Sequence, residues 1–264
     1  MKTFHARVIT KAAERVGLPV DLVTGELYDT ANVRIIRQTI EKLLPHPVAY
    51  LVYGAPGNQK SFVSKHEVAR LNKAELENPQ GRCAFYLYAR AHIRPRDLMC
   101  RIAEACGCKP NNDIDPMVAA LRNKFRGRRV VLLVDEAQHL DVDCLETIRE
   151  LLDEPPHFSI LLQGSHDLKR RFDEFSATLE QWNSRIIAKV RLPGLERPEA
   201  VGIIHRELGE LLDGREQDEV DAMIDRLIQG ATVRDTFEAD STYINVRTLT
   251  NALNQIKTNA AAQL

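Results

Sequence analysis

Gly54, Lys60 and Ser61 fall in the stretch GAPGNQKS at the spacing G-x-x-x-x-G-K-[ST]. In that pattern backbone N–H groups curl around phosphates, the lysine contacts the terminal ones and the hydroxyl holds Mg²⁺. Gln59 stands where the pattern has glycine. Such loops need a positive φ near this position, where a side chain costs on the order of 1 kcal/mol or more. The expected result is a working but slowed site. In a second stretch, VVLLVDEAQ, Asp135 and Glu136 follow an apolar run. There an aspartate can hold the Mg²⁺ shell and its neighbour can orient and deprotonate an attacking water. In a third, ILLQGSHDL, Ser165 can contact a γ-phosphate or that water. The consecutive Ser165, His166 and Asp167 cannot form a nucleophile relay, which requires side chains converging in space.

Such groups must be set at strand ends, and the chain supplies the strands. Val48 to Gly54, Arg82 to Ala89, Arg128 to Glu136, Phe158 to Gly164 and Ile186 to Leu192 read as strands, four of them almost continuously apolar. Helices covering both faces of a parallel sheet demand that composition. Helical patterns lie between them, including KSFVSKHEVARLNKAEL after the phosphate loop and DPMVAALRNKF, where Asp115 is the expected N-cap and Pro116 the first helical residue. The alternation predicts a doubly wound α/β fold with a mostly parallel five-stranded sheet. From about Pro193 only amphipathic helical segments are expected, with ATVRDTFEADSTY as a loop between the last two. The predicted organisation is an N-terminal helical extension (1–29), a nucleotide-binding α/β domain (30–193) and a small helical domain (194–264).

The net charge of -1 provides no global field for nucleic acid or anionic membranes, so binding to either must come from local patches. No apolar run approaches the roughly 18 residues of a membrane span, and charges interrupt the start of the chain. A cytoplasmic protein without membrane contact is the expectation. Cys83, Cys100, Cys106, Cys108 and Cys144 are odd in number and scattered, which suits reduced thiols, and the pair at Cys106 and Cys108 lacks a second pair at zinc spacing.

The order GAPGNQKS, VVLLVDEAQHL, LLQGSHDL, NSRIIAKVRLPGLERPEA and NVRTLTNAL resembles AAA+ ATPases from about Thr30 to the C-terminus. The DEAQ box, the glycine after the fourth strand and the compact lid look like the branch that holds the TnsC, TniB and phage Mu B transposition regulators and the ExeA secretion ATPases. The resemblance implies ATP and Mg²⁺ as ligands. It makes Lys60 and Ser61 the Walker A lysine and hydroxyl, Asp135 and Glu136 the Walker B pair, Ser165 the first sensor and Arg247 the lid sensor. Nucleotide contacts are then expected from Gly54, Ala55, Pro56, Gly57, Asn58, Gln59, Lys60, Ser61, Phe62 and Arg247, and Mg²⁺ contacts from Ser61 and Asp135. Arg185 in NSRI is placed to reach a neighbouring subunit's nucleotide, with Arg170 and Arg171 as competitors for that role, and the stretch TANVRII would edge the adenine pocket.

The branch also implies assembly around duplex DNA as a ring or helical homo-oligomer, and presentation of that complex to a transposase. YARAHIRPRD supplies Arg90, His92, Arg94 and Arg96 for phosphate contacts, and Arg122, Lys124, Arg126, Arg128 and Arg129 form a second cluster. Two other readings stay open: a nucleotide-switched interaction protein of secretion or signalling that never touches DNA, and a helicase loader. AAERVGLPVDLVTGELY has the spacing of two helices around a glycine turn, but an extension this short is expected to pack on its own core or on a neighbour.

Overall fold

The computed structural model describes residues 18–20, 27–155, 157–235 and 242–262. The apolar runs form β1 (Ala49–Tyr53), β2 (Arg82–Tyr88), β3 (Arg129–Asp135), β4 (Ser159–Gly164) and β5 (Ile186–Arg191). All five pair in parallel, in the order β2-β3-β4-β1-β5. Every residue of β4 is buried, whereas β5, at the sheet edge, is only half-buried, which explains why its sequence alternates with polar residues.

Helix α1 (Ala31–Leu43) precedes β1, and the crossovers between strands are helical: α2 (Lys60–Glu77), α3 (Pro95–Ala105), α4 (Ile114–Lys124), α5 (Val142–Asp153), α6 (His166–Glu174) and the short α7 (Glu180–Asn183). Pro95 opens α3 at the first helical position, where a missing N–H is costless. The expected cap of α4 is corrected by two residues. Asp113, not Asp115, takes the N-cap position, and Pro116 falls in the first turn, where no intrahelical donor is lost.

Two compact units divide the chain. One contains Ile36–Tyr53 and Lys60–Arg191, and its core joins the sheet to Phe85, Phe125 and Phe158, stacked edge to face at 5.4 and 5.8 Å. Leu18 is buried in this core, and the Pro19 carbonyl accepts from Asn72 Nδ2 at 2.9 Å. Residues 1–17 and 21–26 of the expected N-terminal extension, which include most of AAERVGLPVDLVTGELY, lie outside the described residues.

The second unit holds Tyr28–Ile35, Gly54–Gln59 and Leu192–Leu264. Its apolar core is built by α8 (Arg197–Leu212), α9 (Gln217–Ala231) and α10 (Val246–Ala261), with Ile204, Leu208, Leu249 and Leu253 essentially inaccessible. The expectation of helices alone is corrected here. β6 (Thr232–Arg234) and β7 (Thr242–Ile244) pair antiparallel between α9 and α10. Strands of three residues are too short to show a two-residue period in sequence. No described helix is long and apolar enough to cross a membrane.

Candidate nucleotide-binding site

Lys60 is the first residue of α2 and is 7% exposed, so its cation sits at the positive end of a helix, where an anion is the natural partner. One turn later, Ser64 Oγ donates to Gln163 Oε1 of β4 at 2.6 Å, tying α2 to the middle of the sheet. The Gln163 amide nitrogen is buried and has no partner among the described residues.

Asp135 ends β3 and is fully buried. Its Oδ1 accepts from the Glu136 N–H at 2.9 Å and its Oδ2 from the Tyr86 hydroxyl at 2.5 Å. Ser61 is hydrogen-bonded to the same phenol. Burial, reinforced by the charge and hydrogen bond of Asp135, pushes the Tyr86 phenol far above its usual range, so it remains a neutral donor. Ser61 and Asp135 thus supply a hydroxyl and a carboxylate, the hard oxygen donors that suit Mg²⁺. Among the described residues no group of three or more His, Cys, Asp and Glu could hold a metal by itself. A metal here would take its remaining ligands from nucleotide and water, as Mg²⁺ commonly does.

Glu136 has φ 53, a left-handed conformation that a β-carbon disfavours. Gln138 secures it: the Gln138 amide donates to Glu136 Oε2, while its Oε1 accepts from the Ser165 N–H at 3.2 Å. One side chain therefore links the glutamate to the end of β4. Ser165 itself caps α6, its hydroxyl accepting from the Asp167 N–H at 3.2 Å. Gly164 is glycine because a β-carbon there would stand 2.2 Å from Gln138 Oε1. Gly164→Ala is accordingly expected to turn Gln138 away, costing about 0.5–1.5 kcal/mol in denaturant unfolding as Gln138 gives up its bond to the Ser165 N–H. Unchanged stability would show that Gln138 can relocate freely.

The loop Gly54–Gln59 is held by neighbours in its own unit. Asn245 Nδ2 donates to the Pro56 carbonyl at 2.8 Å, and Asn58 Nδ2 to the Leu192 carbonyl at 3.4 Å. Gly57, at φ 89, could not carry a β-carbon, which would lie within 2.3 Å of Asn245. Gln59 also has positive φ, 61, as the altered pattern requires of it, and its Oε1 accepts from the Thr30 hydroxyl at 3.2 Å. The left-handed backbone costs about 1–2 kcal/mol. A side-chain hydrogen bond returns about 0.5–1.5 kcal/mol, so Gln59 is nearly neutral for the fold. Gly54, Ala55 and Asn58 are buried, while Pro56 is exposed. Phe62, in the first turn of α2, packs on His66 at 4.6 Å between ring centroids.

The arginines divide by engagement. Arg185 forms a bidentate pair with Asp153, which Arg149 also contacts. Burial opposes ionisation of Asp153, but Arg185 and Arg149 outweigh it and hold the carboxyl below its ordinary range. Arg171 donates to the carbonyls of Gln138 and Leu140, and Arg170 is exposed beside Asp167 at 2.7 Å. Arg247 is exposed on α10 of the second unit. Arg90 and Arg94 are exposed after β2, whereas Arg96 braces the Asn112 carbonyl and side chain at 2.9 and 3.0 Å. In the second cluster Arg122 pairs weakly with Glu154 at 3.7 Å, and Lys124 donates to the Gly107 carbonyl at 3.0 Å. All five cysteines are free thiols, and burial raises Cys106 well above its usual range.

Tyr86 and Gln138 are the site residues that motif spacing did not single out. Gln138 lay within the DEAQ box. Tyr86 was legible only as a polar aromatic near the end of a strand.

Residues 45–172 match the family model described as an AAA domain. No curated protein matches the chain in sequence. Among solved structures, the chain is similar to the ORC2 protein of Aeropyrum pernix in its ADP form, at TM-score 0.58 and 18% identity, over 81% of this chain and 61% of that one. It is similar to the Walker-type ATPase of Pyrococcus abyssi at 0.58 and 15%, over 92% and 71%. It is also similar to the ORC1 protein of Aeropyrum pernix in complex with DNA, at 0.56 and 18%, over 90% and 62%. The chain spans 55% and 61% of the length of the two ORC2 structures it matches. With the parallel order β2-β3-β4-β1-β5 and the matched segment, these likenesses identify the fold as the α/β fold of AAA+ P-loop nucleoside triphosphatases.

Proposed function

We propose that the chain is an ATP-hydrolysing regulator of DNA transposition that assembles, with ATP, as a ring or helical homo-oligomer on duplex DNA and engages a transposase there. The observation that carries the ATPase reading is that Tyr86 joins Ser61 to Asp135, the Glu136 N–H joins Asp135 to Glu136, and Gln138 joins Glu136 to Ser165, with the buried Lys60 beside Ser61 at a helix N-terminus. Lys60 neutralises terminal phosphate charge. Ser61 and Asp135 would hold Mg²⁺, which when bound adds charge neutralisation at the phosphates. Glu136 accepts the proton of the attacking water, and Ser165 lies at the end of the neighbouring strand to position it. Arg185 is the residue proposed to reach an adjacent subunit's nucleotide, for which it must leave Asp153. The roles of Phe62 and Arg247 as nucleotide contacts rest on the resemblance to AAA+ ATPases. The direct test is equilibrium binding of ATP with Mg²⁺ and measured phosphate release; a protein that binds no ATP overturns the reading.

For DNA, the exposed Arg90 and Arg94 are the residues free to meet phosphates without dismantling a loop, and Arg96 is not. Arginines of this kind place a protein on the duplex without reading bases. Replacing Arg90 and Arg94 with alanine is therefore expected to weaken binding equally on unrelated sequences. The slope of log affinity against log salt should flatten by about 0.9 for each phosphate that a bound subunit no longer neutralises. ATP binding should be unchanged. If the parent protein with ATP retains no duplex near physiological salt, DNA is not the partner and a nucleotide-switched interaction protein takes its place.

A further inference from the structure

The two protein groups proposed to hold Mg²⁺ share one hydrogen-bonding partner. Tyr86 Oη donates to Asp135 Oδ2 at 2.5 Å, and Ser61 bonds the same phenol oxygen. Sheet register explains the reach. Tyr86 pairs with Leu133 and Tyr88 with Asp135, so Tyr86 and Asp135 lie on one face of adjacent strands as diagonal neighbours, a separation that a long aromatic side chain spans. The Lys65 ammonium lies over the face of the same ring, 5.0 Å from its centroid.

We propose that the Tyr86 hydroxyl competes with the metal: it donates to Asp135 Oδ2, and Mg²⁺ must compete with that hydrogen bond for the same oxygen, whereas the Ser61 hydroxyl, which itself donates to the phenol, keeps its lone pairs for a metal. The inference rests on the ATPase reading above. A carboxylate oxygen that accepts a short phenolic hydrogen bond shares its electron density with that donor, so a cation binding there weakens or replaces a hydrogen bond of the stronger, charge-assisted kind. Nucleotide binding without metal makes no such demand. Tyr86 would therefore raise the Mg²⁺ concentration at which ATP becomes tightly held, leaving metal-free affinity untouched. It acts as a positioning residue and touches no reacting atom.

The test is ATP affinity measured across a Mg²⁺ titration and again in excess chelator, for the parent protein and for Tyr86→Phe. The variant keeps the ring and removes only the hydroxyl. Its Mg²⁺ midpoint is expected about tenfold lower, equivalent to about 1.4 kcal/mol, with equal ATP affinity in chelator. An unchanged or higher midpoint overturns the inference and leaves the ATPase reading standing. A parent protein with no Mg²⁺-dependent ATP affinity overturns both. Should Tyr86→Phe fail to fold, the parent still answers through tyrosine absorbance. Adding Mg²⁺ to its ATP complex is expected to produce a tyrosine difference spectrum as the phenol exchanges its acceptor, and a flat difference spectrum overturns the inference.

Discussion

Glu136→Gln is expected to keep ATP bound while turnover falls by about 10²–10⁴-fold, which corresponds to about 2.7–5.5 kcal/mol of transition-state stabilisation. The substitution preserves shape, and the new carboxamide oxygen can still accept from Gln138. What is lost is the proton acceptor. The backbone argues for a role at this position, because φ 53 on a non-glycine residue costs on the order of 1–3 kcal/mol and persists only where its surroundings enforce it. Here the enforcement is visible: the Glu136 N–H is tied to Asp135, and its carboxylate to Gln138, which in turn holds the end of β4. Phosphate release and ATP binding, measured on the same preparation, separate the outcomes. Equal turnover in variant and parent would remove the base from Glu136, and lost ATP binding would make its role structural.

The sheet was legible because burial on both faces leaves a strand no room for polar residues. VVLLV and ILL announce β3 and β4 for that reason, and both are almost wholly buried. The candidate site at their ends was legible as a set of residues, because charge and spacing along the chain pick out Lys60, Ser61, Asp135 and Glu136. Pairings set by register or by distant segments left no such trace. Tyr86 reaches Asp135 only because β2 and β3 pair with Tyr86 opposite Leu133. Asp153, which engages Arg185, lies 32 residues away on another element. Arg96 reads in sequence as one more member of a basic cluster, yet its guanidinium is committed to Asn112. The three-residue β6 and β7 are stabilised by pairing with each other rather than by any periodic pattern, so the sequence offered no signal for them.

Lys60→Ala is expected to remove most of the stabilisation that ATP gives the protein while leaving the unliganded fold within about 1 kcal/mol of the parent. The unliganded side follows from placement. A cation in the first turn of a helix opposes the macrodipole, by about 0.3–1 kcal/mol, so removing it sacrifices little and offsets the interaction the lysine itself makes. The liganded side follows from charge. A hydrogen bond between ionised partners is worth about 1.5–3 kcal/mol, so affinity should drop by roughly tenfold to more than a hundredfold. With ATP at about 100 times the parent's Kd, the ligand stabilises by about 2.7 kcal/mol, and a hundredfold loss of affinity cuts this to about 0.4 kcal/mol. At about 2–4 °C per kcal/mol for a chain of this size, the parent's shift in Tm of about 5–10 °C would shrink to about 1 °C. Thermal unfolding with and without ATP checks both halves. A variant with a large ATP-induced shift would place the phosphates away from Lys60, whereas one whose unliganded Tm falls by many degrees would make Lys60 a structural residue of α2.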